Sequence, residues 1–175
     1  MHDYVGIAGA YPDPGSRATV CSPLLGHGYF CKNGTLPPGE AFNIRDMTDG
    51  SSNVMVVAEQ SGAVLVSGVK TDVRANYTSG WPGYSIVKSV SSLVAGDNPF
   101  YTGLTTVKYA INTTAVAAPF SDACYRGNTI INSFHVGGVH ALLGDGSVRF
   151  LSENMDFNNL LRLASKDDGT VLSEF

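Results

Sequence analysis

The sequence predicts an α+β domain, mostly antiparallel β with long loops and one C-terminal helix. Three observations predict it: short apolar runs of strand length at Val54–Ala58 and Ala63–Lys70, an Asp-Gly hairpin signal at 145–146, and a single capped amphipathic segment after Asp156. At 175 residues the chain has the length of one domain, spanning residues 1–175.

Residues 1–41 are rich in turn chemistry, with "AYPDPGS", "KNG" and "LPPGEA", and predict irregular structure with short strands. A polar knot, "RDMTDGSSN", then precedes the β-branched run Val54–Ala58, which is short and bounded like a buried strand; Ala63–Lys70 predicts a second one. The middle of the chain, from Asn76 to Gly103, is a long excursion with the only Trp, expected to be either a loop with one strand near Ser85–Val90 or a surface flap that packs Trp81 onto something else. "LTTVKYAIN" alternates Val107, Tyr109 and Ile111 against Thr106, Lys108 and Ala110, the period of a half-buried strand. "VHALL" and "SVRFLS" flank Asp145-Gly146, a pair that tolerates the left-handed geometry of tight hairpins. Asp156 caps a helix over "FNNLLRLASK", which ends by Gly169, and "TVLSE" predicts a last strand.

Charged residues make up 15% of the chain, against roughly a quarter in ordinary soluble domains. The surface is therefore expected to be neutral and polar. With a net charge of −4 and 11 scattered Lys and Arg there is no basic stripe to follow a phosphate backbone, so nucleic acid is not an expected partner. The apolar run Val54–Ala58 is far shorter than the roughly 20 residues of a membrane-spanning helix. The opening "MHDYVGIAGAYPDPGS" lacks the basic start and apolar stretch of a signal peptide.

Cys21 and Cys31 bracket "CSPLLGHGYFC", which can close as a disulfide-bridged loop or hold two buried free thiols; Cys124 is the odd cysteine. Asn33, Asn76 and Asn112 begin Asn-x-Ser/Thr sequons, which chance explains in a chain this rich in Asn and Thr. Asp46, Asp49, Ser51 and Asn53 gather oxygen donors around a Gly, the ligand type calcium prefers. Their spacing is not that of an EF-hand loop, and the same residues are good turn and cap formers, so calcium at Asp46, Asp49 and Asn53 stands beside a purely structural reading. No other cofactor is indicated.

His135 and His140 are five apart with Gly137 and Gly138 between them, which fits neither the helical nor the strand spacing of a zinc pair. A structural reading accounts for every residue of the block. The glycines bend the chain into a strand, Asp145-Gly146 turn it back, and His135 bonds a neighbouring backbone group or carboxylate. No Gly-x-Ser-x-Gly elbow, HExxH or phosphate-binding glycine loop occurs, so His135, His140 and Asp145 lack an activated nucleophile and no enzyme is expected. Tyr77, Trp81, Tyr84, Phe100 and Tyr101 are a candidate surface for a glycan or another subunit.

His135, nine residues, then Asp145-Gly146 resembles the signature of a planctomycete prepilin-like family of unknown function. "DYVGIAGAY", "IRDMTDGSSNVMVVAE", "TTVKYAIN" and "LLRLASKDDGTVLSE" are similar to its other recurring blocks, in order. The resemblance implies a globular head like that of a type IV pilin or pseudopilin, displayed outside the cell or at its envelope surface, with His135, Gly137, Gly138, Asp145 and Gly146 as structural residues. Such heads build or decorate filaments, tubes or secretion pseudopili. Family members usually carry a prepilin leader and a long stalk helix, and neither precedes His2, so the expectation is a head without its stalk. The expected function is a non-enzymatic structural subunit that associates with itself, with surface-glycan binding as the alternative.

Overall fold

A computed structural model of the chain describes residues 3–24, 28–72, 89–94, 103–114, 127–170 and 172. Nine strands are described: β1 (Tyr4–Ala10), β2 (Cys21–Leu24), β3 (Gly28–Cys31), β4 (Met55–Glu59), β5 (Ala63–Val66), β6 (Val69–Asp72), β7 (Leu104–Val107), β8 (Gly138–Leu143) and β9 (Val148–Ser152). One α-helix, α1 (Phe157–Leu163), follows them. The main sheet has the order β7-β1-β4-β8-β9 and is mixed, because β1 runs parallel to β7 while its other neighbours pair antiparallel. The α+β expectation holds, and among the described residues no helix is long and apolar enough to cross a membrane.

One face of β4, β8 and β9 is closed. Met55, Ala58, Val139, Ala141, Leu143 and Leu151 form a single buried cluster with Leu160, Leu161 and Leu163 of α1. Asp156 starts that helix by accepting hydrogen bonds at Oδ1 from the backbone N–H groups of Asn158 and Asn159, 2.9 and 3.1 Å long, which satisfies two donors the helix itself leaves unpaired. The helix stops at Leu163, short of Gly169, because the chain is taken up by other partners: Lys166 N–H donates to the carbonyl of Asn33 at 2.8 Å.

The N-terminal segment departs most from expectation. The expected turns and short strands are there as β2 and β3, but β1 is a seven-residue strand that lies inside the main sheet and is buried from Val5 to Ala10. Its glycines disguise it in the sequence, yet they are what lets neighbours come close: a Cβ at Gly6 would sit 2.8 Å from both Leu104 and Leu36, and one at Gly9 would overlap the Asn33 side chain. Asn33 is itself buried. Its Oδ1 accepts from Ala10 N–H at 2.9 Å and its Nδ2 donates to the Ala10 carbonyl and to Asp13 Oδ1, so the amide of that sequon is engaged inside the fold.

Ala63–Lys70 is not one strand but the hairpin β5–β6, turned at Ser67-Gly68, where both residues have positive φ as a two-residue hairpin turn requires. Strand β7 ends at Val107, before the alternation in the sequence does. Val90 opens a 3₁₀ turn, Val90–Ser92, so the strand expected to end there does not reach it; residues 85–88 lie outside the described set. Thr170 and Leu172 are not in a strand, and the rest of "TVLSE" lies outside the described residues. Cys21 and Cys31 face each other across β2 and β3 and form a disulfide. Cys124, Asn76, Tyr77, Trp81, Tyr84, Phe100 and Tyr101 lie outside the described residues.

Candidate functional site

The histidine block sits where β8 begins. Gly137 has φ +88°, a backbone that L side chains rarely adopt, and this turns the chain into β8. Gly138 follows, and a Cβ there would overlap the carbonyl of Leu151 on β9, so only glycine allows the two strands to close at this end. At the other end, Gly146 has φ +86° and Asp145 Oδ1 accepts from the backbone N–H and the hydroxyl of Ser147 at 2.9 and 2.7 Å. Those bonds from Ser147 hold the Asp145 carboxyl below the ordinary carboxylate range. The expected hairpin is present, with His140 opposite Phe150 and Leu142 opposite Val148.

His135 and Asp145 therefore precede and follow β8 along the chain and have different partners, Glu59 for His135 and Ser147 for Asp145. Gly137, Gly138, Asp145 and Gly146 are turn and close-packing residues. The two histidines behave differently.

The spacing of His135 and His140 argued against convergence, yet the structure brings their rings to 5.2 Å, edge to face. The cause is the register of β4 against β8. Ala58 pairs with Ala141, which sets Glu59, the next residue on β4, beside His140. The bend at Gly137 then carries His135 back over the same carboxylate. Glu59 Oε1 lies 3.3 Å from His135 Nε2 and 3.4 Å from His140 Nδ1, while Glu59 Oε2 accepts the backbone N–H of His140 at 2.8 Å.

The segment bearing His135 is fastened to β4 on its other side. Asn132 N–H donates to the Glu59 carbonyl at 3.1 Å, and Asn132 Nδ2 donates to Ser61 Oγ and the Ala63 carbonyl at 2.6 and 2.7 Å. Asn112 Oδ1 accepts from Ser133 N–H at 2.9 Å, and Ser133 Oγ accepts from His135 N–H at the same length. The group is thus built on a strand end and a stitched turn, with side-chain exposures of 59% for His135, 45% for His140 and 13% for Glu59.

An open cavity of about 260 Å³ lies against it, lined by Glu59 and His135 together with Tyr4, Asn132, Ser133 and Phe134. Asn132 Oδ1 is buried and has no hydrogen-bond partner among the described residues.

The other oxygen-rich stretch is differently employed. Asp46 Oδ2 accepts from the backbone N–H of Asn43, and Asn53 Nδ2 donates to the Asp49 carbonyl. Asp49 is buried, with Oδ2 accepting from Asp168 N–H at 2.6 Å and Oδ1 from Gly169 N–H at 3.0 Å. It ties the loop before β4 to the chain after α1. Burial, with the negative charge of Asp49 added to it, pushes the Asp168 carboxyl above its ordinary range despite the hydrogen bond from Thr170. Asp46, Asp49 and Asn53 each have a local partner, and the described residues bring no further carboxylate to them as a group of three ligands.

Fold and site define the class: an α+β domain with a mixed sheet, a disulfide-closed hairpin, and a Glu-His-His group where β4 pairs with the start of β8. The chain belongs to a family described as protein of unknown function (DUF1559), whose model matches residues 4–158. No curated protein and no solved structure matches it.

Sequence reasoning missed Glu59. Glu59 directly follows the apolar run Val54–Ala58 and His140 lies in the strand before the hairpin, but nothing in the sequence pairs those two strands.

Proposed function

We propose that this chain is a non-enzymatic structural subunit, a pilin-type head at the envelope surface or outside the cell, that works by associating with copies of itself. The observation that carries the proposal is the apolar rim around β8 and β9. Val136 is 99% exposed and Phe134 68% before β8, and Val148 is 65% and Phe150 45% exposed on β9, the last described strand of the sheet. Packing against α1 covers the opposite face, whereas this one carries large apolar side chains in water.

A second copy is the occupant that suits the rim. Among the described residues β9 is the last strand of the sheet, with β8 as its neighbour, and an edge strand is a template for the same strand of another copy. With 15% charged residues, few charges need desolvation when like faces meet. The Cys21–Cys31 disulfide supports an oxidising location.

The test is light scattering of size-fractionated protein across a concentration series, for wild type and for Val136→Glu with Phe134→Glu. Both side chains are solvent-facing, so the fold should survive. The proposal expects wild-type mass to rise with concentration and the double variant to stay monomeric. A variant that associates like wild type would remove this face from the account.

A further inference from the structure

We propose that Glu59, His135 and His140 form a binding site for one divalent first-row transition-metal ion of the zinc type. The site is independent of the self-association reading. It rests on three donor atoms that lie within 4.8 Å of one another and on how two of their separations compare with alternatives.

If the carboxylate simply bonded the two imidazoles, charge-assisted contacts of about 2.7–2.9 Å would be expected. The observed separations are 3.3 and 3.4 Å, and both converge on the same oxygen. Two ligands of a tetrahedral ion held at about 2.1 Å stand about 3.4 Å apart, so both oxygen-to-nitrogen separations already match edges of such a polyhedron. The nitrogen-to-nitrogen edge lies within the 4.8 Å that bounds the three donor atoms and has to close to about 3.4 Å when the ion binds.

The support around the carboxylate is that of a ligand. Glu59 Oε2 is held by His140 N–H, which leaves Oε1 turned toward both imidazoles, and hydrogen-bonded carboxylates of this kind are the usual backing of metal sites. Gly137, Asn112 and Ser133 fix the turn that delivers His135. Two imidazoles and one carboxylate select zinc, cobalt, nickel or copper over calcium and magnesium, which prefer all-oxygen sets. Three protein ligands leave at least one position open, and the neighbouring cavity of about 260 Å³, lined by Glu59 and His135, has room for a water there.

The test is calorimetric titration of the full chain with zinc chloride at neutral pH, paralleled by the visible absorption of the cobalt(II) form. Wild type, His135→Ala, His140→Ala and Glu59→Gln are compared, with circular dichroism as the check on folding. His135 is solvent-facing, so its variant reports on binding even if another variant folds poorly. The expected result is one zinc per chain, a tetrahedral cobalt spectrum, and a loss of affinity of about 100-fold in His135→Ala. No saturable binding by wild type would overturn the proposal. Binding unchanged in His135→Ala would overturn it too, placing the metal at other groups such as His2, His27 or Cys124.

Discussion

Replacing Asp49 by Ala separates a structural clamp from a calcium ligand. The Asp49 carboxylate is buried and accepts two backbone N–H groups from Asp168 and Gly169. Hydrogen bonds to a charged group contribute about 1.5–3 kcal/mol each. Their partners are only part-buried and can recover some hydration, and removing Asp49 also relieves its repulsion of Asp168, so the lower end applies. The expected loss is about 3 kcal/mol, which lowers Tm by about 6–12 °C in a domain of this size. Asp49→Asn keeps one acceptor and should lose about half as much. Urea denaturation and thermal scans measure both, with and without added calcium. Because both oxygens already accept N–H groups, calcium should leave the wild-type Tm unchanged. An Asp49→Ala variant as stable as wild type would refute the clamp. So would a calcium-dependent rise in Tm that disappears in the variant.

Two further predictions concern packing and pH. Gly138→Ala places a Cβ against the Leu151 carbonyl, which is backbone and cannot swing away; it should cost about 3 kcal/mol or more, read as a lower urea midpoint, whereas Gly146→Ala strains only an exposed turn and should cost less. Burial alone would raise the Asp13 carboxyl, but hydrogen bonds from Arg17 and Asn33 outweigh it and hold the group below its ordinary range. Its folded value lies below the unfolded one, so its contribution is complete above the ordinary carboxylate value near pH 4 and is lost as pH falls through the folded value. Wild type should therefore exceed Asp13→Asn by about 1–2 kcal/mol at neutral pH, with the gap closing only below about pH 4, as followed by urea midpoints across pH.

What was legible in the sequence was local. Asp145-Gly146 names its own hairpin, and Asp156 with Leu160, Leu161 and Leu163 names a helix, because turn geometry, capping and periodicity act over a few residues. Strand β1 was hidden because Gly6 and Gly9, which ordinarily weaken a strand, are required here by the close approach of Leu36, Leu104 and Asn33. The β5–β6 turn was hidden because Ser67-Gly68 sits inside what looks like one apolar run. The Glu59 group was illegible for a different reason. His135 and His140 meet only through the register of β4 on β8 and a glycine bend, and no spacing along the chain encodes that pairing.

The family membership leaves function to the surface, and the surface proposal stands on the apolar rim of β8 and β9. Sedimentation velocity of the intact chain from micromolar to millimolar concentration, with electron microscopy of the heaviest fraction, tests that proposal most directly. The account predicts species growing with concentration into regular assemblies of one repeating contact. A single monomeric boundary throughout the range, with no ordered particles, would contradict it.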